Sequence, residues 1–173
     1  MSRVPESLKD AHVPDPEMVF RLVFFPEWYD PGKGHTYPTI AAFVPNRGDL
    51  QEAVDNAWTN GFGLSLWRCD LTTPNDADHF LQNTRPTAAL GAVVGDIHGL
   101  RTVHGSDRLE VVATPVTERQ DLAGWQGHAS LFGLPCKVEP FVNTTASAKD
   151  LRDQVAQKFT ARLRSPPEPR DQP

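Results

Sequence analysis

A chain of 173 residues, 39% hydrophobic and 23% charged, fits one ordinary domain and carries enough apolar surface to offset the entropy of folding. The formal net charge of -5 argues against an extended phosphate-binding surface, which needs clustered Lys and Arg, so no nucleic-acid partner is expected. The cysteines, Cys69 and Cys136, lie far apart with no neighbouring Cys/His ligand pair, which excludes a disulfide framework and a zinc module.

Residues 1–17 are rich in proline and charge, and Pro5, Pro14 and Pro16 interrupt any regular structure, so this stretch reads as an arm. It lacks the apolar stretch of a secretory signal, and no run in the chain is long and apolar enough to cross a bilayer; a cytoplasmic protein with no membrane partner is expected. Residues 18–164 read as a single globular α/β domain. Residues 165–173, SPPEPRDQP, hold no apolar anchor and read as an extended, disordered tail.

Within the domain, MVFRLVFF from Met18 to Phe25 is nearly continuous apolar sequence rich in β-branched and aromatic residues, the pattern of a central strand covered on both faces. YPTIAAFV, Tyr37 to Val44, predicts a second, shorter strand. Asp49 with Glu52 three residues on resembles a capping box, and Leu50, Ala53, Val54, Ala57 and Trp58 recur at helical spacing up to the Asn60-Gly61 stop. That predicts a helix over 50–60. FGLSLWRC alternates as a strand should, and Asn75 is placed to cap a short helix, DADHFLQN, that stops before Pro86. AALGAVVGDI, RLEVVATPV and GHASLFGL are three further strand candidates. Ser147 then caps AKDLRDQVAQKFTARL, where Leu151, Val155, Phe159 and Leu163 fall four apart on one helical face.

The order mixes hairpin-like and crossover-like connections and does not repeat a βα unit. The expected fold is α+β: a two-layer α/β sandwich with a mixed sheet of five to six strands packed by two or three helices.

Three segments carry residues that could do chemistry. The first is VVGDIHG, where GDIHG resembles the first metal motif of the calcineurin-like metallophosphoesterases. The resemblance implies Asp96 and His98 as ligands of one ion in a two-metal centre that activates water and neutralises a phosphoryl transition state. His104 and Asp107 are the nearest reserve ligands. The family's second Gly-Asp motif and its Asn-His pair have no counterpart downstream: Gly105-Ser106-Asp107-Arg108 lacks Gly-Asp, and Asn143 is followed by threonine. The preferred reading is therefore a strand running into a bend, with no metal and no cofactor.

The second segment, PGKGHT from Pro31 to Thr36, departs from the phosphate-binding loop pattern because Lys33 is followed by glycine and a strand candidate, so it reads as a turn-rich loop. Around it stand Trp28, Tyr29, His35 and Tyr37, large amphipathic side chains of the kind that anchor binding surfaces. Trp125 in GWQG is a further candidate contact. Third, His104, Ser106 and Asp107 lie close in sequence, but a triad is defined by geometry and no GxSxG elbow is present. Without a complete catalytic constellation, the expected function is a non-enzymatic interaction or accessory role with a protein partner. A metal-dependent phosphoesterase using GDIHG and a small-ligand-binding domain stand as alternatives.

Overall fold

The computed structural model describes residues 4–56, 62–100, 108–134 and 146–166. Its strands are β1 (Met18–Phe24), β2 (Leu64–Arg68), β3 (Thr87–Val93), β4 (Glu110–Ala113), β5 (His128–Phe132) and β6 (Ala161–Arg164). Between them lie α1 (Arg47–Asp55), α2 (Pro74–Leu81), α3 (Val94–His98) and α4 (Ala146–Ala156). The strands form one sheet in the order β4-β5-β2-β1-β3-β6.

This is the α+β architecture expected, with one difference: every pairing is antiparallel, where a mixed sheet was anticipated. The reason is topological. The chain returns through α2 after β2, so β3 runs in the same direction as β2, but β3 docks on the far side of β1 and the two never become neighbours. The sheet is also coiled. Helix α3 touches both β3 and β4 although β1, β2 and β5 stand between those strands in the order.

Alternation along β1 separates two cores. Val19 and Val23 face a large cluster that includes Leu64, Leu66, Leu90, Val111 and Leu131 from the sheet, Ala53 from α1, Ile97 from α3, and Leu151 and Val155 from α4. Phe20 and Leu22 face the opposite side, where Trp67 and Ala89 meet Ala77 and Phe80 of α2. Each large apolar side chain buried here contributes about 1.5–3 kcal/mol of transfer free energy.

Several local elements differ from expectation, each for an identifiable reason. Tyr37 to Val44 is not a strand; its core is a 3-10 turn over Ile40–Phe43, and two of the turn's carbonyls are taken by arginine side chains instead of by a neighbouring strand. The α1 cap lies one turn earlier than predicted: the Asn46 side chain accepts from Asp49 N–H at 2.9 Å, and the Asp49 carboxylate accepts from Asn46 N–H at 2.8 Å. Asp49 is thus the third residue after the cap, the one that closes the box. The helix ends at Asp55, and the expected stop at Asn60-Gly61 lies outside the described residues.

Thr73, not Asn75, caps α2, with Pro74 at the first helical position, while Asn75 accepts from Arg164 at 2.7 Å. GDIHG is helical, because the carbonyls of Glu17 and Asp15 accept from the N–H groups of Val94 and Gly95 at the start of α3. The last helix begins at Ala146, so Ser147 lies within its first turn, and it stops at Ala156 instead of running to Leu163. Residues 161–164 pair with β3, whose backbone would otherwise be buried without partners on that side. Tertiary pairing overrides the four-residue spacing, leaving Phe159 buried and Leu163 exposed.

The N-terminal arm packs against the domain. Val13 is 1% exposed within the large core, and His12 bridges Val112 on the outer edge of β4. Most of the expected C-terminal tail, residues 167–173, lies outside the described residues.

On the α2 side of the sheet a polar chain crosses β2, β5 and the segment after β4. His128 Nδ1 lies 2.9 Å from the Thr114 carbonyl, which only accepts, so Nδ1 carries the proton and Nε2 accepts from the Ser65 hydroxyl at 3.2 Å. Burial lowers the His128 pKa below its ordinary 6.5, opposed by the hydrogen bond to the Thr114 backbone. Below that pH the unfolded chain takes up a proton that the folded protein refuses. The stability from neutral His128 is therefore complete above pH 6.5 and is lost progressively as the pH falls below it, until the folded imidazole protonates. Urea denaturation at about pH 7.5 and about pH 5.5 should show a lower midpoint in acid, with a smaller drop in His128→Gln; an equal drop in both proteins would assign the acid sensitivity elsewhere.

Candidate functional site

The chain leaves β1 at Phe24 and folds into a closed loop. Trp28 N–H donates to the Phe24 carbonyl at 2.9 Å, the two rings pack with centroids 4.7 Å apart, and Thr39 N–H reaches back to the Trp28 carbonyl at 2.8 Å. Within the loop Asp30 Oδ1 accepts from Gly32 N–H at 2.9 Å, and His35 Nδ1 accepts from Asp30 N–H at 3.0 Å. Gly34, at φ +85°, occupies the left-handed region that glycine enters without strain.

Two buried arginines hold the next turn, Ile40–Phe43, from beneath. Arg21 on β1 donates through Nε to the Ala42 carbonyl and through Nη1 to the Ser65 carbonyl at 2.7 Å. Arg152 on α4 donates through Nε to the Phe43 carbonyl at 3.2 Å. The Arg21 guanidinium also lies 5.7 Å from the Phe43 ring centroid and 6.0 Å from that of Trp28. Burial lowers the Arg21 pKa to about 10, opposed by the charge of Asp49, so the group stays cationic at neutral pH. Burial likewise raises the Asp49 pKa, opposed by Arg21 and by the backbone N–H groups of Asn46 and Ser65. One charge cluster thus ties together β1, β2, α1 and the turn.

The outer side of this frame carries Tyr37, 38% exposed, and Ile40, 36% exposed. Of the other residues expected at the binding loop, Trp28 and His35 are half-buried. Tyr29 is 1% exposed and belongs to the core, its ring covered by Arg162 at 5.9 Å. Trp125 is half-buried and stands apart from the loop: it leads into β5 at His128, level with Trp67 and Phe20 near the start of β1, whereas Trp28 follows the end of β1. Sequence reasoning missed Ile40, hidden in a supposed strand, and both arginines. Arg21, a lone cation inside an apolar run, was the available signal.

The GDIHG segment gives a different kind of site. A pocket of about 470 Å³ is lined by His12, Asp15, Gly95, His98, Arg108 and Glu110 among others, and no residue of Trp28 to Tyr37 lines it. His98 Nε2 accepts from Val111 N–H at 3.0 Å, which places the proton on Nδ1, donated to Asp15 Oδ1 at 2.6 Å. His12 Nε2 lies 3.0 Å from Glu110 Oε1. Both ring nitrogens of His98 are therefore engaged within the protein. Asp96 is exposed on α3, and His104 and Asp107 lie outside the described residues. Among the described residues no group of three or more His, Cys, Asp or Glu is arranged to hold a metal ion. Burial, with the neighbouring Asp70, pushes the Cys69 thiol up to about 11, which keeps it protonated at neutral pH.

Comparison of the chain with protein-family models, with curated proteins and with solved structures finds no match.

Two outcomes follow from this geometry. Asp49→Ala leaves Arg21 buried beside no carboxylate and removes half of the α1 capping box; a loss on the order of 3 kcal/mol in urea denaturation is expected, and a loss below about 1 kcal/mol would show that the guanidinium needs no anion there. Manganese or zinc should leave the thermal midpoint unchanged, since a metal must displace a bond from His98. A saturable rise that vanishes in His98→Ala would restore the metal reading.

Proposed function

We propose that this protein works by binding another protein, through the platform formed by the loop after β1 and the turn Ile40–Phe43, and not by catalysis. The observation that carries this reading is the pairing of two exposed apolar side chains, Tyr37 and Ile40, with a backbone fixed from inside by Arg21 and Arg152. A surface already ordered in the free protein avoids the entropy of immobilising a loop on association. Tyrosine adds a large ring with a polar end, the chemistry enriched at the energetic centres of interfaces.

The test is affinity capture from an extract of the source cells at moderate salt, with the bound proteins quantified for the wild type and for Tyr37→Ala/Ile40→Ala. Neither side chain is buried in a core cluster, so the double variant should unfold at nearly the wild-type midpoint. A partner retained by the wild type should drop at least about tenfold with the variant, the loss expected for removing one or two hot-spot side chains. Equal retention by a folded double variant would overturn the platform as the contact surface.

A further inference from the structure

The outer edge of β4 is closed by an unusual combination of groups. Successive residues of a strand point their backbone groups to alternate sides, and with Thr114 N–H bonded to the His128 carbonyl on β5, Val111 and Ala113 point outward. Ala113 N–H donates to the Ala11 carbonyl at 2.7 Å, and Val13 N–H donates to the Val111 carbonyl at 2.9 Å. The remaining outward group of Val111, its N–H, finds no backbone acceptor; it donates to the imidazole of His98 at 3.0 Å. The arm turns away at Pro14 without bringing the Val13 carbonyl to this N–H, and His98 on α3 supplies the rung instead.

The two edges of the sheet differ in how they are protected. At the other edge the register of β6 slips between Ala89 and Leu90, and the strand carries Arg162 and Arg164, the usual devices that discourage pairing. Strand β4, reading Glu-Val-Val-Ala, has no bulge and no cation, and its middle is apolar. Without a cover it would present a flat edge with unpaired donors and acceptors, the template through which like strands add to one another.

We infer that the arm and the His98 imidazole together guard the β4 edge, and that the occupant they exclude is β4 of a second copy of this chain. His98 is then a positioning residue: its neutral ring stands in for a main-chain carbonyl, and Asp15, accepting from Nδ1, holds the acceptor nitrogen toward Val111. The role of the GDIHG histidine is to complete a strand edge.

The experiment compares the full-length wild type, His98→Leu and His98→Gln by light scattering over a range of protein concentrations and by amide exchange at Val111. The wild type should be monomeric. His98→Leu should speed Val111 exchange about tenfold at low concentration, the cost of one lost hydrogen bond, and should dimerise as concentration rises. His98→Gln, whose side-chain oxygen reaches the place of Nε2, should restore both properties. A folded His98→Leu that stays monomeric with wild-type exchange overturns the inference. If His98→Leu does not fold, Val13→Pro carries the same test from the arm side, because it removes the N–H that reaches the Val111 carbonyl, together with part of a buried core side chain, and leaves α3 unchanged; a folded, monomeric Val13→Pro overturns it equally.

Discussion

The guanidinium of Arg21 enters the core on an apolar strand and cannot remain there without acceptors. A buried cation with unmet donors costs several kcal/mol, so the surrounding chain must bring oxygen atoms to it. It finds the Ser65 carbonyl on β2, the Ala42 carbonyl on the turn before α1, and the nearby charge of Asp49 at the start of that helix. Ala42 and Asp49 belong to one stretch of chain, but Arg21 and Ser65 lie far from it and from each other in sequence. Their meeting fixes where the long connection between β1 and β2 crosses the sheet, and with it where Tyr37 and Ile40 emerge.

The same demand for acceptors explains features that propensity alone does not. Ile40–Phe43 is wholly apolar and could pass for a strand, but Pro38 and Pro45 flank it, and its carbonyls point inward to Arg21 and Arg152. A tight turn aims successive carbonyls at guanidinium groups from β1 and α4; an extended segment would alternate them. At β4 the shortage is reversed: Val111 has an N–H with no carbonyl to meet, and an imidazole fills the place. In both places a side chain completes hydrogen bonding that regular secondary structure leaves open.

This division also accounts for what the sequence makes legible. The strands at Met18–Phe24, Leu64–Arg68 and Glu110–Ala113 follow from alternation or continuous apolar runs, since burial on a pleated surface leaves a local imprint. The α+β class follows from their order. Less legible are the elements that depend on remote partners. Nothing local distinguishes Asn46 from Asp49 as the cap, because both residues of a capping box are competent caps and the reciprocal bond decides. The spacing of Leu151, Val155, Phe159 and Leu163 is faithful to one helix, yet the unpaired edge of β3 draws the last of these residues into a strand. At the candidate site, Trp28, His35 and Tyr37 were readable as large amphipathic residues around a turn. That Tyr29 turns inward, beneath Arg162, depends on β6, an element the sequence hides inside a helix.

Why a platform should rest on two buried arginines is a question of conformational specificity more than of stability. Apolar side chains of similar volume would fill the same space at comparable or lower free energy, since burying a charge gives back little net stabilisation. They would leave the Ala42 and Phe43 carbonyls to find water, and the turn free to shift by a residue. A guanidinium donates along fixed directions, so its hydrogen bonds select one backbone geometry where dispersion contacts would accept several. For the proposed binding surface, whose exposed apolar side chains among the described residues are Tyr37 and Ile40, that selection would matter: with so small a contact, any loss of order on the binding side subtracts directly from affinity. The cost of burying Arg21 and Arg152 is thus intelligible if the turn they hold must be in place before a partner arrives.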